Sequence, residues 1–95
     1  MGRRRGPVSR RVRRLCHSYL AGRISDEEFK NGIREIIEDY GRTGYVLQGI
    51  GLSIGRWLQG RNEREREMVW RLADEVDMKI RELFERWRDR MFAAA

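Results

Sequence analysis

Residues 43–55, TGYVLQGIGLSIG, form an uncharged stretch of thirteen residues in a chain in which 38% of residues are charged. Everywhere else, at most eight consecutive residues lack a charge. The stretch, which we call the hub, also holds four of the ten glycines, Gly44, Gly49, Gly51 and Gly55. Apolar side chains favour burial, and glycines between them allow another backbone to approach closely. The hub is therefore predicted to be the buried segment on which the other segments pack.

The sequence of the hub is compatible with two conformations. As one helix over residues 43–59, it places Gly51 and Gly55 on one side and forms a groove for a second helix. Alternatively, the Gly49-Ile50-Gly51 run breaks it into two segments, because each interior glycine costs about 1 kcal/mol relative to alanine. We favour the continuous helix, which would join an apolar helical hairpin before it to an amphipathic helix after it.

Two helices are predicted before the hub, over residues 8–21 and 26–40. The first has apolar residues on one face and arginines on the other, at the period of an α-helix. The second begins with a capping box formed by Ser25 and Glu28, flanked by a hydrophobic staple of Ile24 and Phe29. Gly22 lies between the two helices, where a glycine commonly ends a helix, so the pair is predicted to form a hairpin.

One long amphipathic helix is predicted after the hub, over residues 63–92. Its apolar positions recur every three or four residues, which is close to a heptad repeat: Val69, Ala73, Val76, Ile80, Leu83, Trp87 and Met91. This apolar face exceeds what the hairpin can cover, so we expect homo-oligomerisation; the alternative is an intramolecular bundle. The residues predicted for the oligomer interface are Gly51, Gly55, Val76, Ile80, Leu83 and Trp87.

The net charge of +6 is concentrated at the N-terminus. Residues 1–14 carry seven arginines and no acidic residue, and residues 1–7 are predicted to be a basic arm before a single helical domain at 8–95. A basic segment on a nearly neutral body indicates a polyanionic partner, and guanidinium groups suit phosphate. The predicted nucleic-acid-binding residues are Arg3, Arg4, Arg5, Arg10, Arg11, Arg13 and Arg14.

No arrangement of residues indicates catalysis. His17 has only Cys16 beside it, and one histidine with one cysteine makes neither a zinc site nor a nucleophile–base pair. We therefore expect no enzyme activity, no metal and no cofactor. The three tryptophans fall at core spacing, so base-specific recognition is not indicated, and binding should be sequence-tolerant. No secretion signal or transmembrane segment is expected.

A local resemblance covers about residues 20–51. The run Leu20-Ala21-Gly22-Arg23-Ile24-Ser25, followed by Phe29, Ile33, Ile36, Tyr40 and Gly49-Ile50-Gly51, resembles a helical segment of some tailed-phage head or minor capsid proteins. In that segment, a Gly-x-Ile-Ser helix start precedes an amphipathic helix and a glycine-containing turn. The resemblance implies a structural component of a virion, located in the virion or the host cytoplasm, and it implies no catalytic residue.

These observations predict an all-α protein with a helical hairpin, a glycine-rich apolar helix and one long C-terminal helix. The predicted function is that of a small structural nucleoprotein that binds phosphates of DNA or RNA and assembles through its helices. One alternative is a helical interaction module whose C-terminal helix binds a partner protein. Another is a peripheral protein whose first helix lies on an anionic membrane surface.

Overall fold

The computed structural model describes residues 7–94, with side chains as far as Met91. Within this range the chain forms five α-helices and no strand, which confirms the all-α prediction. They are α1 (Val8–Leu20), α2 (Asp26–Tyr40), α3 (Gly44–Leu58), α4 (Glu63–Val76) and α5 (Lys79–Ala94). The molecule measures 41 × 33 × 20 Å.

Side-chain caps begin the helices α2, α3 and α4, whereas α1 begins after Pro7 without one. In α2, the backbone N–H of Glu28 donates to Ser25 Oγ (3.1 Å) and the Ser25 N–H donates to Glu28 Oε1 (2.8 Å), which confirms the predicted capping box. Thr43 caps α3 by accepting from the Val46 N–H (3.1 Å), and Asn62 caps α4. Each cap satisfies a backbone donor that has no partner within the helix.

The hub forms most of α3, and the helix is continuous through Gly49, Ile50 and Gly51. This helix packs against both α1 and α5. Its buried residues are Val46, Leu47, Ile50, Gly51, Ile54 and Leu58. The favoured prediction of a helical hub between two apolar surfaces is therefore confirmed, and burial of this face stabilises a helix that carries interior glycines.

Gly51 and Gly55 allow α5 to cross α3 at close range. A Cβ atom on Gly51 would lie 2.5 Å from the carbonyl oxygen of Ile80 and 2.9 Å from Phe84 Cβ. A Cβ atom on Gly55 would lie 2.5 Å from the Phe84 ring. A methyl group at Gly51 would collide with the α5 backbone, and one at Gly55 would require the Phe84 ring to shift, so both glycines favour the close helix–helix contact within this chain.

The prediction of one long helix over residues 63–92 is wrong. The helix ends at Val76, and Asp77 adopts an extended conformation with φ −159° and ψ 114°. The Asp77 carboxylate accepts a hydrogen bond from the Lys79 N–H (2.9 Å) and pairs with Arg42 (2.8 Å). The break lets α5 turn back onto α3 and bury Ile80 there, which a straight helix would not permit.

The core is built from all five helices. It contains Val12, Cys16, Tyr19, Phe29, Ile33, Ile36, Val46, Leu47, Ile50, Ile54, Leu58, Val69, Trp70, Leu72, Ala73 and Ile80. Aromatic contacts join its parts: the rings of Tyr19 and Phe29 lie 5.3 Å apart, and those of Trp70 and Phe84 stack at 5.4 Å. Much of the predicted heptad face is therefore covered within one chain.

Candidate nucleic-acid interface

Helix α1 has one buried side and one basic side. Val12, Cys16 and Tyr19 are buried, whereas Arg10, Arg13 and Arg14 are exposed. These three arginines form no ion pair with any residue that the structure describes. Because α1 contains no acidic residue, like charges on its outer side remain without an intrahelical partner.

Arg11 differs from the other arginines of α1. Its guanidinium Nη1 donates to Asp39 Oδ2 of α2 at 2.8 Å, and it lies 5.7 Å from the centre of the Tyr40 ring. The hydrogen bond to Asp39 holds the pKa of Arg11 above its ordinary value, although burial acts in the opposite direction. Arg11 was predicted to bind phosphate, but in this fold it fastens α1 to α2.

The arginines of the basic arm, Arg3, Arg4 and Arg5, lie outside the described residues. The chain enters α1 at Pro7, whose fixed φ suits a helix start.

A groove of about 350 Å³ lies between α1 and α3. Its lining consists of Ser9, Arg13, Ser53, Arg56 and Trp57. Arg61 follows α3 and places its guanidinium 4.1 Å from the centre of the Trp57 ring, a cation–π contact. The predicted site omitted Arg56 and Arg61. The sequence does offer a signal for them: both arginines lie between the uncharged hub and Glu63, in a segment that contains no acidic residue.

Arginines and lysines elsewhere in the described chain are largely engaged by carboxylates. Lys30 contacts Glu27 (2.8 Å) and Glu75 (3.0 Å). Arg81 contacts Asp74 (3.6 Å) and Glu85 (3.3 Å). These ion pairs neutralise much of the charge on α2, α4 and α5, so the unpaired positive charge is most concentrated along α1 and the adjoining end of α3.

Cys16 is a free cysteine that is buried in the core. Burial raises the pKa of the Cys16 thiol to about 12, against a smaller lowering effect of the Arg61 charge, so this thiol is protonated at neutral pH. Between residues 7 and 94, no group of three or more histidine, cysteine, aspartate or glutamate side chains is arranged to hold a metal ion.

Comparison with known proteins does not indicate a function for this chain. No family model, curated protein or solved structure matches this chain. The resemblance to tailed-phage head proteins therefore stays a prediction from the sequence. A search of the described helices finds none with the length and apolar character needed to cross a membrane.

The residues predicted for an oligomer interface are divided by the fold. Gly51 and Ile80 are buried against each other within the chain, and Gly55 faces Phe84. Val76, Leu83 and Trp87 are half-buried. The oligomer stays a prediction.

Proposed function

We propose that this protein is a small structural nucleoprotein. Its basic arm and the outer side of α1 bind phosphates of DNA or RNA without sequence preference, and its helices mediate assembly with further copies. The observation that carries the proposal is the exposure of Arg10, Arg13 and Arg14 on a helix that contains no acid. Three adjacent, unpaired guanidinium groups repel one another, and a polyanion relieves that repulsion.

Sequence-tolerant binding follows from the kind of side chain that α1 exposes. Its outer side offers guanidinium groups, which form strong charge-assisted hydrogen bonds with phosphate oxygens. Phosphate contacts position a protein on nucleic acid but do not read the bases. The resemblance to tailed-phage head proteins extends the proposal to a component of a virion that lines or packages a genome.

The test is the salt dependence of binding to fluorescently labelled DNA and RNA oligonucleotides. We expect affinity to fall steeply between about 50 and 200 mM salt, because each neutralised phosphate releases condensed counterions. A triple variant, Arg10→Gln, Arg13→Gln and Arg14→Gln, should reduce the slope of log affinity against log salt by about 2 to 3.

The matched control is the triple variant Arg64→Gln, Arg66→Gln and Arg90→Gln. These three arginines are also exposed and have no ion pair with the described residues, but they lie on α4 and α5. The control removes the same charge and should retain most of the slope. Equal losses in the two triple variants, or binding that is insensitive to salt, would contradict the proposal.

A second function is favoured by one observation on α5. A mainly apolar groove of about 450 Å³ lies between α3 and α5 and includes Phe84, Trp87 and Met91. Met91 is 49% exposed. This surface would suit the alternative of a helical module that binds a partner protein. If so, Trp87→Glu should abolish partner binding and leave oligonucleotide affinity nearly unchanged, whereas the nucleoprotein proposal predicts the α1 triple variant to be the damaging one.

A further inference from the structure

The groove between α1 and α3 joins the two helices of this protein that contain no acidic residue. The α1 sequence, VSRRVRRLCHSYL, and the α3 sequence, GYVLQGIGLSIGRWL, hold neither aspartate nor glutamate, whereas α2, α4 and α5 all do. The two acid-free helices pack side by side. Besides forming the core, the hub therefore lies against α1 without offering any carboxylate that could pair with the α1 arginines.

Two arginines from different helices face this groove. Arg13 reaches it from α1 and Arg56 from the last turn of α3. Both are exposed, and neither forms an ion pair within the described chain. Arg11, by contrast, is two residues before Arg13 and so lies on another side of α1, where it is held by Asp39 at 2.8 Å. The fold therefore neutralises the arginine on the α2 side of α1 and leaves the arginine on the α3 side available.

Trp57 brings one more guanidinium close to the groove. Trp57 is half-buried and lines the groove, and the Arg61 guanidinium lies 4.1 Å from the centre of its ring. A guanidinium that stacks on an aromatic ring keeps its N–H groups free at the ring edge to donate hydrogen bonds. The cation–π contact thus holds Arg61 against a residue of the groove lining while leaving its charge available to an anion.

The remaining polar groups define what the groove can accept. Ser53 donates its hydroxyl proton to the Gly49 carbonyl at 2.8 Å, so its proton is already used. Ser9 lies in the first turn of α1 and makes no such side-chain bond within the described chain. The groove therefore combines two guanidinium groups and a hydroxyl donor without an acid, which is the chemistry of a phosphate site.

We infer that the α1–α3 groove is a discrete site for one phosphodiester group of a nucleic-acid backbone, held between Arg13 and Arg56 with Arg61 at its edge. This inference rests on the proposed function and adds a specific contact to it. The bound strand would pass from the groove along Arg10 and Arg14 on the outer side of α1. Arg56, which is 43 residues from Arg13 in the sequence, becomes a nucleic-acid-binding residue.

The test uses Arg56→Gln, Arg13→Gln and the double variant in the full chain, with labelled single-stranded and double-stranded oligonucleotides. Because both arginines hold the same phosphate, their effects should be non-additive. We expect each single variant to weaken binding several-fold near 100 mM salt, and the double variant to lower the salt slope by about 1 rather than 2. The double variant Arg64→Gln and Arg66→Gln, with the same charge loss, should change affinity less than about twofold.

The outcomes separate this inference from the function on which it rests. If the unaltered protein fails to bind oligonucleotides, the proposed function is overturned. If it binds but Arg56→Gln behaves like the α4 control, the function stands and the groove is not a phosphate site. Additive effects of Arg13→Gln and Arg56→Gln would likewise contradict a shared phosphate. Vesicles of phosphatidylserine in phosphatidylcholine form a further arm, and equal dependence on Arg56 there would assign the site to lipid headgroups instead.

A spectroscopic readout tests the location of the contact. The indole N–H signal of Trp57, assigned with the Trp57→Phe variant, should shift when an oligonucleotide is added. The indole signal of Trp70 should move less, because Trp70 is buried in the core, whereas Trp87 lies on α5 in the α3–α5 groove that Arg56 also lines. A shift of Trp87 alone would overturn the inference and place the nucleic acid on the α3–α5 side.

Discussion

Two glycines in one helix have opposite environments at the scale of single residues. Gly51 has the Ile80 carbonyl oxygen 2.5 Å from the position of a Cβ atom, whereas Gly49 has nothing within 4 Å of that position. Neither has a positive φ. The difference between them is therefore one of available space, and substituting alanine at each position separates close packing from helix propensity.

We expect Gly51→Ala to destabilise the protein by about 1–3 kcal/mol, because α3 and α5 must move apart to admit the methyl group. Gly49→Ala should instead stabilise it by about 0.5–1 kcal/mol through reduced backbone entropy of the unfolded chain. Urea denaturation of both variants measures the difference. Equal effects at the two positions would show that α5 does not pack on Gly51.

The charged form of Asp74 is disfavoured by its surroundings. Its Oδ1 atom is buried without a hydrogen-bond partner, and burial raises its pKa above the ordinary aspartate value despite the opposing effect of Arg81. A folded-state pKa above the unfolded one means that the folded protein binds more protons between the two values. The contribution of Asp74 to stability therefore increases as pH falls through that window and decreases as pH rises.

Asp74→Asn should therefore be as stable as the unaltered protein at pH 7 or more stable, by less than about 1 kcal/mol because the group is partly exposed. The advantage should shrink as the pH is lowered through the raised pKa of Asp74, because the aspartate then becomes protonated and loses its charge. Thermal melts at several pH values provide the measurement. Asp89→Asn on the exposed side of α5 is the control, and a marked loss of stability for Asp74→Asn at pH 7 would contradict the expectation.

At the scale of elements, the decisive feature is the break between α4 and α5. The Asp77 carboxylate accepts a hydrogen bond from the Lys79 N–H at 2.9 Å. Its two oxygens also accept hydrogen bonds from the Arg42 guanidinium, at 2.8 and 3.3 Å. Arg42 precedes α3 by two residues, so one side chain both caps α5 and ties the turn to the start of the central helix. The break is therefore held by a local bond and a distant one.

Asp77→Ala should destabilise the protein by about 1–2 kcal/mol, mainly through loss of the cap. Asp77→Asn keeps an oxygen that can accept from Lys79 and should retain most of that stability. Arg42→Ala leaves the cap intact but removes the charge partner of a carboxylate that is only 8% exposed, and should cost about 1 kcal/mol. Denaturant titrations of the three variants test this order, and a larger loss for Arg42→Ala than for Asp77→Ala would reverse the assignment.

The same elements explain how far the sequence predicts the fold. Helices were predicted at 8–21, 26–40 and 43–59 and lie at Val8–Leu20, Asp26–Tyr40 and Gly44–Leu58, because caps and apolar periodicity are local signals. The break at Asp77 has neither glycine nor proline, and the heptad spacing continues through it. The local signal for it is Asp77 itself, because aspartate commonly caps a helix start, whereas the packing of α5 against the Gly51–Gly55 side of α3 leaves no local pattern.

The candidate site was predictable to a similar degree. The exposed arginines of α1 followed from the helical period, but Arg11 is held by Asp39, 28 residues away, and that pairing depends on the hairpin geometry. Arg56 and Arg61 reach the same region only because α3 lies against α1. Local patterns identify which helix is basic, whereas the neighbouring helices decide which of its arginines stay available.

At the scale of the whole molecule, the fold redistributes both apolar surface and charge. The long apolar face that suggested assembly is folded back by the Asp77 break, and Trp87 and Met91 retain exposure at its distal end. Acidic residues are confined to α2, α4 and α5 among the helices, so the α1–α3 side is positive. The positive groove between α1 and α3 and the apolar groove between α3 and α5 are neighbours, because Arg56 lines both.

Because Cys16 is buried, the rate at which its thiol reacts can report how often the molecule opens. The thiol faces the core from α1, and it becomes accessible to an alkylating reagent only when α1 leaves the other helices. Its labelling rate consequently reports the population of open molecules. If α1 separates only when the whole fold opens, Gly51→Ala on the far side of α3 should accelerate labelling about tenfold for each 1.4 kcal/mol lost. An unchanged rate would mean that the arginine helix opens independently of the other four.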